Sequence, residues 1–358
     1  MLALLTRQRP DRVPFIPFAF GFCARNVGYP VSAAYADAEQ SFWSQLWTSE
    51  QYGYDGGPLY GYASQGAWEF GGELEMPVGA HQAPWVSRAP ATTPAAVEAL
   101  EIPEVESAGA YRIAIPFARL QQKLGMPVTF QGFSPFTNAG NIAELPTLLR
   151  WIVKEPKTVH LLLSKCIEFH RKVVDYFTRE FAGSPIIMFF GEPSTANAVI
   201  SPRQFETFAL PYLREMNQYA VDKGVRHIFA HLCGEQNKNL SYWSDMPYGD
   251  PGIISVGHEV DLTRAIEVFG DQHIIAGNVE PQRLQLGTSQ EVYDLTRQAL
   301  EKGKRAPNGF ILMGGCEIPV NTPPYNIFTM KKAVMEHGFY DDDGEKDDIR
   351  SRLETARG

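Results

Sequence analysis

Eight short apolar segments, most of them separated by helical patterns, leave this chain few folds to choose from. They lie near residues 13, 55, 128, 186, 226, 252, 273 and 309. Parallel strands need a crossover between them, usually a helix, so sustained strand–helix alternation predicts an α/β fold with a parallel sheet. Eight such units predict a TIM-type eight-stranded parallel (β/α) barrel. Val13–Phe20 reads V-P-F-I-P-F-A-F, and Pro14 and Pro17 restrict its pairing to part of a ladder; the segment near 55 has the least regular pattern. A doubly wound open sheet is the alternative, but no G-x-G-x-x-G follows the first strand and there is no phosphate loop. Helix boundaries carry their own signals. Asp37, Thr93 before Pro94, Ser201 with Gln204, and Thr288 with Glu291 are placed as N-caps, and Gly303 as a helix end.

The 358 residues, 44% apolar and 20% charged, suit one large domain over 1–340 followed by a charged tail over 341–358. A net charge of −9 with no basic cluster excludes a nucleic-acid backbone as partner. The opening M-L-A-L-L-T-R-Q-R-P has too short an apolar run for a signal peptide, and no eighteen consecutive residues are apolar. Four cysteines without regular spacing do not form a disulfide framework, which fits a reducing compartment. The reading is a cytoplasmic, soluble protein without a membrane partner.

The chemistry concentrates where apolar strands end. In I-F-A-H-L-C-G, over 228–234, His231 and Cys233 are two apart, so strand alternation turns both side chains the same way. In G-F-I-L-M-G-G-C-E-I-P, Cys316 again follows an apolar strand with glycines at its end. An imidazole and two thiolates make three ligands of a tetrahedral zinc site, and the rival reading is cysteines that merely pack. Cys166 and His170 have ligand spacing too, but they lie in a helical pattern beside Leu161–Leu163 and Ile167 and read as a core face. In a barrel the active groups stand at the carboxyl ends of the strands. Glu192, Glu259 and Asn278 are therefore the candidate catalytic groups, with Asp261 and Glu317 as competitors and Glu192 a possible fourth ligand. Phe20, Tyr60, Trp68 and Phe133 offer rings to line a substrate site, packing under a loop being the alternative. Glu69, Glu73 and Glu75 are expected in solvent.

Several stretches carry a family resemblance: S-P-F-T-N-A-G-N-I at 134–142, I-S-P-R-Q-F-E-T-F-A-L-P-Y-L at 200–213, H-L-C-G, G-N-V-E-P and G-G-C-E-I-P. Together they resemble the uroporphyrinogen decarboxylase superfamily from about residue 10 to 340. H-x-C followed by a late G-C is similar to its zinc-containing, corrinoid-dependent methyltransferase branch, where the matching histidine and cysteines hold the zinc. Decarboxylases carry R-Q-A-G-R-Y near the first strand, and here F-G-F-C-A-R-N-V-G-Y-P keeps only Arg25.

The resemblance implies methyl transfer between a small molecule and the cobalt of a corrinoid (cobalamin) held on a separate carrier protein. The rings at the mouth favour a methoxylated aromatic donor and an O-demethylase role. Two thiolate ligands favour the alternative, a thiol acceptor of the coenzyme M type, because they damp the metal's Lewis acidity. A decarboxylase-like or non-catalytic binding barrel is the reading from a different class.

Overall fold

The protein, seen in a computed structural model, is described over residues 1–79 and 83–340; the tail at 341–358 lies outside the described residues. Strands β1 (Glu73–Glu75) and β2 (Trp85–Arg88) form a small antiparallel pair. The main sheet runs β3 (Val128–Gln131), β4 (Ile186–Gly191), β5 (His227–Leu232), β6 (Ile253–Val256), β7 (Ile274–Val279) and β8 (Phe310–Gly314), all parallel and in chain order. Helices fill the crossovers, among them Pro156–Glu180, Leu210–Asp222, Leu262–Phe269 and Ser289–Gly303.

The caps fall where the sequence puts them. Asp37 accepts from Gln40 N, Thr93 from Ala96 N, and both capping boxes, Ser201/Gln204 and Thr288/Glu291, are complete. Each such cap contributes about 1 kcal/mol by satisfying an amide that the helix itself leaves unpaired.

Of the eight expected parallel strands, six form the main sheet, and the first two, near 13 and 55, form no ladder among the described residues. Val13–Phe20 forms no strand; its contact with β8 is an isolated parallel bridge between Phe15 and Leu312. Ile16 N donates to Leu312 O at 3.0 Å and Leu312 N to Pro14 O at 2.9 Å, and the prolines, having no N–H, cannot extend that pairing. The segment near 55 is irregular as well, with Gly56, Gly57 and Pro58 interrupting it. Side chains supply what a ladder would. Asp55 accepts from Phe15 N at 2.8 Å and from both terminal nitrogens of Arg12 at 2.6 and 2.9 Å, while its own amide donates to Phe15 O at 2.8 Å. On β3, Gln131 acts as a peptide surrogate, accepting from Tyr62 N at 2.9 Å and donating to Tyr62 O at 3.0 Å.

The sheet interior is layered by the period of two. Ile187, Ile253, Ile274 and Ile311 form an apolar floor with Leu4 and Leu5 of the short first helix, and Phe18, Phe229, Ala276 and Met313 pack against it. Two residues further along β5 and β6 come His231 and Ser255, so the interior turns polar toward the carboxyl ends of the strands.

Burial alone would raise the Asp55 carboxyl, but the hydrogen bonds from Arg12 and Phe15 outweigh it and hold the group below its usual range. Its stabilising contribution is therefore present above the unfolded-state pKa and is lost as pH falls through the folded value. Asp55→Asn is expected to cost about 2 kcal/mol, the worth of charge-assisted hydrogen bonds in a half-buried setting. Urea unfolding at pH 7 checks the loss, which should shrink toward pH 3 as the wild-type carboxylate itself protonates.

Candidate metal centre

His231 is the fifth residue of β5, Cys233 lies just past its end, and Cys316 lies two residues past β8. The ligand atoms of the three all lie within 4.8 Å of one another. The two sulfurs are 3.8 Å apart. Glycines allow this convergence: Gly234 has φ +74°, the left-handed region that favours glycine, and a Cβ on Gly315 would sit 2.7 Å from His258 N.

Electrostatics make the sulfurs unlike partners. The hydrogen bond from Cys233 draws the Cys316 thiol well below the usual thiol range. Cys233 is pushed well above that range by the bond to Cys316 and then by burial, with the Glu259 carboxylate adding to the effect. His231 Nδ1 lies 3.0 Å from Ser255 Oγ, while its Nε2 is buried with no hydrogen-bond partner. A buried imidazole nitrogen normally finds a partner, so this orphan beside two sulfurs fits a metal ligand.

Glu192 follows β4 and is fully buried. Burial raises its carboxyl to about 8, against hydrogen bonds from Thr137 and Ser134 that oppose the shift. Its Oε1 accepts from Thr137 N at 3.0 Å at the start of helix Pro135–Ala143, while Oε2 has no partner. Its backbone amide donates to His231 O at 3.2 Å, so the acid and the imidazole stand on adjacent strand ends.

The other predicted residues are more dispersed. Glu259 is exposed, with Oε2 3.4 Å from His258 Nδ1. Asp261 caps helix Leu262–Phe269 and pairs with Lys302 at 2.6 Å. The Asn278 amide donates to Gly257 O at 3.1 Å and Val260 O at 2.7 Å, bracing the loop that carries Glu259. Tyr60 donates its hydroxyl to Tyr35 O at 2.7 Å, and Phe133 is buried against Phe169 at 5.0 Å between centroids. Trp68 lies under the Arg112 guanidinium. Phe20 approaches the centre through Phe18, 5.0 Å away. Phe18 is the ring that reaches His231, at 5.5 Å, and it also lies 5.5 Å from Phe189.

Phe18, Phe189, Ser255 and Met313 were not singled out by sequence reasoning. Alternation along their segments was the available signal: Phe189, Ser255 and Met313 lie two residues beyond the inward-facing Ile187, Ile253 and Ile311, and Phe18 two before Phe20. The expectation that Glu69 is solvated is corrected: it is buried and accepts from Tyr62 Oη, Gly66 N and Ala110 N, closing a polar knot inside the aromatic segment. Cys166 and His170 are buried core groups. His170 Nδ1 accepts from Phe133 N and Nε2 donates to Met216 O, each at 3.2 Å, leaving no nitrogen for a metal. A groove of about 730 Å³ bordered by Phe70, Pro90, Leu100 and Glu104 shares no residue with the centre.

A parallel sheet with converging histidine and cysteines at its carboxyl edge describes a class, and the comparisons give its name. The uroporphyrinogen decarboxylase (URO-D) family profile matches residues 1–337, and the chain belongs to that family. A Methanosarcina mazei protein named methylated-thiol–coenzyme M methyltransferase is 27% identical over 205 residues, 57% of this chain and 51% of that one. The uroporphyrinogen decarboxylase of Herminiimonas arsenicoxydans is 26% identical over 254 residues, 67% of each chain. The chain spans about half the length of several curated relatives it matches. A solved methyltransferase from Methanosarcina mazei has TM-score 0.79 at 21% identity, covering 94% of this chain and 97% of its own; that likeness speaks to fold. No described helix is long and apolar enough to cross a membrane.

Glu192 supplies a test of the mouth's electrostatics. The unfolded chain releases this proton near pH 4.5, whereas the folded chain keeps it to about 8. Between those values the folded state binds more protons, so this group makes stability fall as pH rises. With metal removed by chelator, Glu192→Gln should therefore gain stability relative to wild type as pH is raised from 5 to 8. Urea midpoints across that range check it, and a constant difference would place the charged form in the folded state.

Proposed function

We propose that the chain is a zinc-dependent methyltransferase that exchanges a methyl group between a small molecule and the cobalt of a corrinoid carried on a partner protein. The observation that carries this reading is the sulfur separation. Two Zn–S bonds of about 2.3 Å at the tetrahedral angle require sulfurs about 3.8 Å apart, the separation found between Cys233 and Cys316. His231 Nε2 would be the third ligand, leaving the fourth position for substrate. The name of the Methanosarcina mazei relative supports the reaction class. The fold we take as a barrel in which the segments near 13 and 55 stand in the places of two strands.

For the small molecule we favour a thiol or methylated thiol over a methoxylated aromatic. Tyr60 and Phe133, two of the rings that suggested an aromatic guest, are engaged in the core. Zinc held by two thiolates would keep a bound thiol deprotonated at neutral pH while leaving it nucleophilic. The chain's own part is to keep that thiol apart from water beside Phe18 and to offer the uncharged Glu192 carboxyl as a hydrogen-bonding group. Phe18, Phe20 and Phe189 keep O-demethylation as the second reading. Decarboxylation of a porphyrinogen is disfavoured because Arg25, the retained arginine of that motif, is exposed and donates to Asn321.

Elemental analysis is expected to find one zinc per chain, lost in Cys316→Ser. The zinc-loaded protein is then mixed with methylcobalamin and a panel of thiols, and separately with cob(I)alamin and methoxylated phenols, while the cobalt spectrum is followed. Loss of methylcobalt that needs both thiol and zinc supports the reading. Methylation of cob(I)alamin by the phenols alone selects the second reading, and inactivity in both arms with a loaded corrinoid carrier present would leave a binding barrel.

A further inference from the structure

An imidazole can give one nitrogen to a metal while its other nitrogen carries the proton, and which nitrogen is which depends on the groups around it. At His231 that decision falls to Ser255. Its Oγ is 3.0 Å from His231 Nδ1 and 3.6 Å from Met313 Sδ, and its hydroxyl has one hydrogen to give. If the hydrogen goes to Nδ1, the ring proton must sit on Nε2, which then has no lone pair for a metal. If it goes to the Met313 sulfur, the Ser255 oxygen accepts Nδ1–H, and the Nε2 lone pair is left facing the two cysteines.

We propose that Met313 and Ser255 form a relay that holds His231 in its metal-binding tautomer, which makes both of them positioning residues. The inference rests on the metal reading above. Its warrant is a satisfaction argument in a closed space. Ser255 is fully buried and Met313 is 1% exposed, so the hydroxyl hydrogen has to find its acceptor inside the protein. The thioether is a weak acceptor but a present one. The fold delivers it across a strand. His231 and Ser255 are opposite each other in the β5–β6 register, and Ser255 is opposite Ala276 in the β6–β7 register. Alanine is short enough for a methionine from β8 to reach past β7 to the serine. A leucine at 313 would preserve the packing and remove the acceptor, leaving the hydroxyl unsatisfied in the metal-loaded state and satisfied in the other.

The test reads zinc affinity by chelator competition and the His231 tautomer by NMR of the protein labelled with ¹⁵N-histidine. Ser255→Ala should weaken zinc binding by about 10- to 100-fold, the usual cost of losing the group behind a ligating histidine. Met313→Leu, close to volume-conserving, should weaken it by about 3- to 10-fold. Because Met313 acts through the serine, the double variant should bind no more weakly than Ser255→Ala alone, whereas independent packing losses would multiply. In a metal-free Cys316→Ala background, which removes the sulfur that would itself hold a proton on Nε2, His231 should be protonated on Nδ1, and adding Met313→Leu should shift it toward Nε2. Unchanged affinity and tautomer in Met313→Leu, a multiplicative loss in the double variant, or Nε2–H in the Cys316→Ala background would overturn the relay. If wild type binds no zinc, the metal reading fails, and the tautomer in the two variants still decides the relay.

Discussion

Two sulfurs held 3.8 Å apart in a half-buried mouth impose the constraint on which this end of the molecule depends. Two full thiolates at that spacing would repel by about 4 kcal/mol even at an effective dielectric of 20. Cys233 and Cys316 are displaced in opposite directions chiefly by the hydrogen bond between them, with burial adding to the rise at Cys233 and opposing the fall at Cys316. A divalent cation held between the sulfurs would remove that conflict. The orphaned His231 Nε2 points to the same resolution, since an imidazole lone pair gains nothing from facing a thiolate without a cation or proton between them.

Two buried carboxyls show how the fold separates structure from chemistry. Glu69 and Glu192 are both enclosed, and burial raises both. Glu69 spends its oxygens on two backbone amides and a tyrosine hydroxyl, so it ties the aromatic segment together. Glu192 leaves Oε2 without a partner on the strand end next to His231. A neutral carboxylic acid in that position can donate as well as accept, which a saturated carboxylate cannot.

What the sequence made legible follows physical range. Caps are local, so Asp37, Thr93, Ser201 and Thr288 could be placed from a few neighbours. The convergence of His231, Cys233 and Cys316 was legible because parallel strands bring their carboxyl ends together whatever the details of the crossovers. The missing ladders at the first two strand places were not legible, for the opposite reason. Apolar composition there was real, but pairing needs amides that Pro14 and Pro17 lack, and the substitute bonds from Asp55 and Gln131 reach back across 40 and 69 residues. The rings of Tyr60 and Phe133 were visible as rings, but their orientation depends on long-range packing against Tyr35 and Phe169.

The same alternation that builds the core also delivers the site. On β5 Phe229 is followed two residues later by His231, on β6 Ile253 by Ser255, and on β8 Ile311 by Met313. In each pair the first residue belongs to the apolar interior. A slip of one residue in any of these strands would turn both members outward, so the register that buries the isoleucines is the register that presents the imidazole. The free energy of the core thus sets the register on which the contacts at the mouth, such as Ser255 with His231, depend. A metal bound at the mouth would return the coupling: it would bind the folded chain in preference to the unfolded one and so stabilise the register that creates its own ligand set.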